Sequence, residues 1–232
     1  LPYVLQYPAR GVQLLAKASA RLLGGAMIHR EAISDQLWNL ILKMMSYDPL
    51  KDFYLAGGTA LALKLGHRES IDIDLFAGVD FNPAGIAMKL VREFSLERVH
   101  HEPETVRAII SGTKVDLIRH DYQSVGPVET IEGIRIASLP DLAAMKLNAI
   151  SGRGLKKDFW DIAALLRSYS LDQMISFFMQ KYKVVDNWHL IKALEYFGDA
   201  ERDDSEIRGF GNMDWNEVKR AVVLAAETYL QT

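Results

Sequence analysis

Two aspartates one residue apart, Asp72 and Asp74 in Ser70-Ile71-Asp72-Ile73-Asp74-Leu75-Phe76, set the first chemical constraint in this 232-residue chain. On a strand, residues two apart leave from the same face, so the carboxylates would stand side by side and repel unless a cation lies between them. Magnesium suits such a place because it prefers hard oxygen ligands and keeps positions open for water and substrate phosphates. Upstream, Gly57-Gly58-Thr59 ends the apolar run of residues 53–56 and opens a helix-favouring stretch. Glycines let backbone approach a triphosphate, the first amides and dipole of a helix favour an anion, and Thr59 adds a hydroxyl donor. Asp116, in Lys114-Val115-Asp116-Leu117-Ile118, is a third carboxylate that would complete a metal-binding triad from a neighbouring strand. Together these residues point to metal-assisted nucleotidyl transfer, in which the cation lowers the pKa of an attacking hydroxyl and neutralises phosphate charge.

Each part alone has a plainer explanation. A Gly-Gly pair is usually only a turn, an Asp-x-Asp usually a solvated strand face, and an acid on an edge strand needs no function. The order of turn, helix, acidic strand and later acid is what argues for a site.

The elements that must position these residues follow from periodicity. Apolar positions in residues 28–45 recur at helical spacing, with Ser34-Asp35 available as caps. Strand, glycine turn and helix follow over residues 53–65, then an alternating strand over 71–76 that sends both aspartates to one face. A helix is expected over 83–94, and strands over 108–110 and 114–118 joined by Ser111-Gly112-Thr113. Beyond Pro140 the pattern is helical throughout: 141–150, 156–168, 171–182, 188–197 and 215–229, with an acidic loop over 198–212. The expected fold class is α+β, a small mixed sheet with flanking helices over residues 27–138, then a helical domain over 139–232.

Composition bounds the function. With 49% hydrophobic and 25% charged residues the chain can bury a core, and no apolar run approaches the length needed to span a bilayer. The absence of cysteine excludes disulfides and thiolate chemistry and permits a reducing cytoplasm, the compartment we expect. The net charge of −3 is unevenly spread: residues 1–26 hold Arg10, Lys17 and Arg21 and no acid, whereas 198–217 hold seven acids against two arginines. The first segment ends in Gly24-Gly25-Ala26 and reads as a non-core leader with a start at Met27; a native amphipathic helix and a targeting peptide are the alternatives. No extended basic track for a long nucleic acid is visible, although a short RNA end remains feasible.

A second cluster lies at 141–170, where five bases face three acids. Lys146 and Arg153 are seven residues apart, nearly on one helical face, with Gly152 and Gly154 placed to break the helix and let Arg153 fold back. Lys157 and Asp161 stand at i and i+4, which is also the spacing of an ordinary surface ion pair. Arg68 would contact a phosphate or pair with Glu69 or Asp72. His67, His100 and His101 read as surface residues, and the aromatics Phe159, Trp160, Phe177, Phe178, Trp188 and Trp215 as core.

The run Ala56-Gly57-Gly58-Thr59-Ala60-Leu61 followed by His67-Arg68-Glu69-Ser70-Ile71-Asp72-Ile73-Asp74 resembles the signature of the AbiEii/AbiGii toxin family of nucleotidyltransferases. The likeness continues through Lys114 to Leu117, Leu142 to Lys146, Arg153 and Lys157 to Ile162, over roughly residues 53–166. It implies a minimal polymerase-beta-like nucleotidyltransferase fold, magnesium with a nucleoside triphosphate, and a toxin role beside a cognate antitoxin or in phage defence. Transfer RNA 3′ ends are implied as one acceptor. By the resemblance Gly58, Thr59 and Lys146 bind the triphosphate, Asp72 and Asp74 the metal, and Asp158 or Asp161 is a further acid of the site; the chemistry of the residues themselves adds Gly57, Arg68 and Arg153 to the nucleotide-binding set and Asp116 to the metal ligands. A nucleotide-binding regulatory module that acts through a protein partner is the alternative from another class.

Overall fold

The computed structural model describes residues 28–209 and 214–231; the leader-like segment 1–26, and the stretch of the acidic loop beyond Gly209, lie outside the described residues. Seven strands form one mixed sheet in the order β3-β4-β5-β2-β1-β7-β6. Their ranges are β1 Phe53–Leu55, β2 Ile73–Ala77, β3 Leu96–Glu102, β4 Thr105–Ile110, β5 Thr113–Arg119, β6 Glu129–Ile131 and β7 Ile134–Ile136. β2 runs parallel to β5 and β1 parallel to β7, while the remaining neighbours are antiparallel. The expected mixed α/β architecture is therefore present, and no helix among the described residues is long and apolar enough to cross a membrane.

The helix expected over 28–45 starts later. A 3-10 turn at Arg30–Ala32 precedes α1, Asp35–Ser46, whose N-cap Ser34 accepts the amide of Leu37. The sheet segment carries α2, Gly57–Leu65, and α3, Pro83–Glu93; α3 packs against β3 and β4. After β7 come α4 Leu139–Gly152, α5 Lys156–Leu165, α6 Leu171–Tyr182, α7 Trp188–Glu195, the four-residue α8 Gly198–Glu201 and α9 Trp215–Leu230. Buried residues of the sheet and of these helices form one continuous core, from Ile41 and Leu55 through Leu75 and Leu117 to Leu147, Phe159, Leu194 and Val222. Five of the six aromatics expected inside pack there; Trp188 instead lies half-exposed.

Three strands escaped the sequence pattern. β3 exposes nearly every residue and so has no alternation to detect, and β6 and β7 are only three residues each. β7 is nonetheless tied in by Arg135, whose guanidinium donates from Nε to Phe53 O (2.8 Å), from Nη1 to Met45 O (2.9 Å) and from Nη2 to Leu50 O (2.9 Å). One side chain thus satisfies carbonyls at the end of α1, in the following turn and at the start of β1. Losing it leaves three acceptors short of a charged donor, so Arg135→Met is expected to lower unfolding free energy by about 2–4 kcal/mol. Urea denaturation at neutral pH measures this, and a loss below about 0.5 kcal/mol would mean that water replaces the guanidinium without cost.

Candidate active site

The two aspartates do not share a strand as the alternation suggested. Pairing begins at Ile73; Asp72 precedes the strand and Ile71 is 75% exposed, outside the buried-face alternation of Ile73, Leu75 and Ala77. Asp74 is opposite Asp116 in the parallel β2–β5 register, so those two carboxylates share a face. β5 is an interior strand, not an edge, and Asp116 is buried on it. Its Oδ2 lies 2.8 Å from Lys114 Nζ, and its Oδ1 is buried without a hydrogen-bond partner among the described residues. Burial raises the pKa of Asp74, and the neighbouring charge of Asp116 raises it further; Lys146 and Lys114 offset only part of this. Among the described residues no three acids or histidines are assembled as a ready cation cage.

The glycine pair is required by close approach. Gly57 has φ +65°, and a Cβ there would fall 2.1 Å from Asp74 Oδ2; one at Gly58 would fall 2.5 Å from Arg68 Nη2. α2 starts at Gly57 behind Ala56, with no side-chain cap, so its first amides are left for an outside acceptor. The Thr59 hydroxyl is already committed: it is 1% exposed, donates to the carbonyl of Asp72 and lies 2.8 Å from Ser70 Oγ. It pins the segment that presents Asp72.

Arg68 and His67 converge on Asp161, which is 0% exposed. Arg68 donates from Nε to Oδ1 (2.7 Å) and from Nη2 to Oδ2 (3.0 Å), His67 Nε2 donates to Oδ1 (2.6 Å), and Lys146 Nζ lies 2.7 Å from Oδ2. His67 is therefore a buried partner and not a surface residue, while His100 and His101 are exposed on β3. Asp161 is taken up by His67, Arg68 and Lys146, and the i, i+4 pair with Lys157 does not form. The second acid, Asp158, is also buried and receives Lys146 Nζ (2.9 Å) and Arg153 Nε (3.3 Å). Arg153 does fold back beyond the end of α4. Burial alone would raise the Asp161 carboxyl, but Lys146 and Arg68, with hydrogen bonds from His67 and Arg68, hold it well below the usual range. Lys146 thus sits between two carboxylates, its own pKa raised by Asp161 and Asp158 against the effect of burial.

These groups surround a cleft of about 770 Å³. Its floor is Asp72, Asp74, Phe76, Lys114, Asp116 and Ile118; one wall is the start of α2 with Arg68, and another is α4 with Arg153 and the first turn of α5 with Lys157. The last side was not anticipated. Asp203 and Ser205 to Arg208 line it, held by Glu69 N to Arg208 O (2.8 Å), an Arg68–Gly209 bridge and Asp203, which accepts from Lys156 N (3.2 Å) and Nζ (2.7 Å). The acid excess of this loop is visible in the sequence, but nothing in it marks the return to the cleft.

Residues 40–126 and 108–231 match the family model described as nucleotidyl transferase AbiEii toxin, Type IV TA system. The chain is 32% identical over 196 residues to the uncharacterized protein aq_aa25 of Aquifex aeolicus (strain VF5), covering 82% of this chain and 93% of that one. Similar solved structures include JHP933 from Helicobacter pylori, with TM-score 0.49, 17% identity and coverage of 86% of this chain and 94% of that one. Another is the nucleotidyltransferase toxin MenT4 from Mycobacterium tuberculosis H37Rv, with TM-score 0.46, 12% identity and coverage of 83% and 80%.

Two stability effects of opposite sign follow. Because the fold raises Asp74, its ionised form is penalised above the folded pKa, and the penalty fades as pH falls towards the unfolded value. Asp74→Asn should therefore stabilise the protein at neutral pH by about 1 kcal/mol, roughly 2–4 °C in melting temperature, with the gain vanishing in acid. Asp161→Asn leaves Arg68 and Lys146 buried without their shared counter-charge and should cost about 3–5 kcal/mol. Thermal melts of both variants from pH 4 to 8 check the pair; destabilisation by Asp74→Asn at pH 7 would contradict the strain assigned to that carboxylate.

Proposed function

Since the chain belongs to the AbiEii family of nucleotidyltransferase toxins, we propose that this cleft transfers a nucleoside monophosphate from a nucleoside triphosphate to the 3′ hydroxyl of a transfer RNA, with magnesium as cofactor. In the cell it would act in the cytoplasm as the toxin of a toxin–antitoxin or phage-defence pair, opposed by a cognate antitoxin. The observation that carries the chemical reading is the pairing of Asp74 with Asp116 beside the uncapped first turn of α2.

The residues present fit a magnesium ion. All the donors are carboxylate oxygens, Asp116 Oδ1 is buried without a partner, and Asp74 carries negative charge that its neighbours leave uncompensated. Asp74 and Asp116 would hold the ion, with Asp72 completing the set; magnesium needs only one or two protein carboxylates when water and phosphates supply the rest. When bound, it supplies Lewis acidity that lowers the pKa of the acceptor hydroxyl and offsets triphosphate charge.

The remaining roles fall to the chain's own residues. The amides at Gly58 and Thr59 and the outer edge of Arg68 receive phosphate oxygens, and Arg153 and Lys157 extend positive charge along the wall. Lys146 and Asp161 position: Asp161 fixes the Arg68 guanidinium, and Lys146 keeps Asp158 and Asp161 neutralised. In the transfer, the acceptor oxygen forms a bond to the α-phosphorus as the bond from that phosphorus to the α–β bridging oxygen breaks. Pyrophosphate leaves, and the hydroxyl proton passes to Asp116.

Purified protein incubated with magnesium, each labelled nucleoside triphosphate in turn and total RNA should label RNA with one preferred base. Asp72→Ala and Asp74→Ala should each lower transfer at least on the order of a hundredfold while the protein remains folded, and chelation of the metal should abolish it. Full turnover by both variants would sink the mechanism, and label on protein in place of RNA would change the acceptor.

A further inference from the structure

The carboxylate row does not stop at Asp116. Through the antiparallel register, Asp116 is opposite Arg107 on β4, and Arg107 is opposite His100 on the edge strand β3, so His100, Arg107, Asp116 and Asp74 lie in one line on one face of the sheet. The neighbouring row is Arg98, Ile109 and Lys114. The opposite face of these strands buries Val106, Ala108 and Ile110, and α3 packs on β3 and β4. On the aspartate face the side chains of His100, Arg107 and Lys114 are 69%, 55% and 52% exposed, and Arg98 is exposed beside them. Arg98, Arg107 and Lys114 carry positive charge, with His100 as a fourth donor, against two acids: Asp116 lies 2.8 Å from Lys114 Nζ, and Glu102 lies 3.4 Å from His100 and 3.5 Å from Arg107, which leaves the row with an excess of positive charge.

We propose that this outer face, from Lys114 to Arg98, is the track for the sugar–phosphate backbone of the unpaired 3′ strand of an RNA acceptor. The inference rests on the nucleotidyl-transfer reading of the cleft and adds to it the surface and the direction of approach. In a transfer with entering and leaving oxygens in line, the acceptor comes from the side opposite the pyrophosphate. The pyrophosphate side is that of α2, Arg68 and Arg153, which in strand order lies towards β1; the acceptor then enters over β5, β4 and β3. Neighbouring strands are about 4.8 Å apart, so Arg107 stands roughly 5 Å and His100 roughly 10 Å outboard of Asp116, the span of the last two or so phosphates behind a reacting hydroxyl. A duplex needs a longer track. No run of lysine and arginine in the sequence announces this surface, because strand pairing assembles it from residues 98–114.

The test compares wild type with R98E/R107E, using a labelled RNA oligonucleotide with a free, unpaired 3′ end, and a DNA strand of the same sequence. K89E/R92E on the exposed side of α3 serves as a charge-matched control. R98E/R107E should keep its melting temperature and its binding of labelled triphosphate. It should lose at least about tenfold in RNA affinity, and the slope of log affinity against log salt should fall by roughly 1.4, the value for two phosphates on a single strand. The KM for RNA should rise while kcat changes little, and the control should behave as wild type. Unchanged RNA affinity and salt slope in R98E/R107E, or an equal loss of RNA affinity in the control K89E/R92E, would overturn the proposal, and a DNA strand weakened to the same degree would agree with contacts to phosphate. The two failures separate cleanly: RNA transfer equal in wild type and R98E/R107E removes this surface alone, whereas no transfer to RNA by the wild type removes the reading on which it rests.

Discussion

The cleft depends on the buried negative charge of Asp161. That carboxylate belongs to α5, yet its partners come from the loop after α2 and from α4, so one desolvated charge clamps the sheet segment to the helices that follow. A buried ion pair contributes little net stability against an apolar substitute, while removing one partner is expensive. The cluster is better understood as a specification of geometry. It holds the Arg68 guanidinium against Gly58, and so sets the shape of the wall at the start of α2.

A second constraint is steric. Gly57 is in the left-handed region and leaves no room for a Cβ beside the Asp74 carboxylate, so backbone and acid approach more closely than any other residue pair would permit. The parallel register then brings Asp116 opposite Asp74, where burial and mutual repulsion raise the Asp74 pKa. The protein thus keeps two mutually repelling carboxylates opposite each other beside the cleft, the kind of local frustration that marks a candidate functional site.

Much of this was legible in advance. The glycine pair, Asp74 and Asp116 announce themselves by residue type and spacing, and the amphipathic helices after Pro140 begin and end close to where periodicity puts them. Ile71 misled the alternation because an exposed isoleucine looks the same in a sequence as a buried one, and Asp72 consequently lies before the strand. His67 read as a surface residue because its partner is 94 residues away. β3 has no buried face to betray it, and the wall formed by Asp203 to Arg208 is held mainly through backbone groups and carries no apolar period. Long-range polar pairing is what single-sequence patterns omit, and here it supplies half of the cleft.

The bridge between Arg68 and Gly209 gives that last wall a temporal meaning. Its two residues are 141 positions apart (209 − 68), so the contact closes a loop spanning more than half of the chain. Contacts of such separation carry a large closure entropy and form after local helices and hairpins are in place. During synthesis the acidic strands emerge early, but the pocket they serve has no far side until the acidic loop has left the ribosome. A chain ending before this loop would carry the family's signature residues and still lack the side of the cleft that Asp203 and Ser205 to Arg208 line.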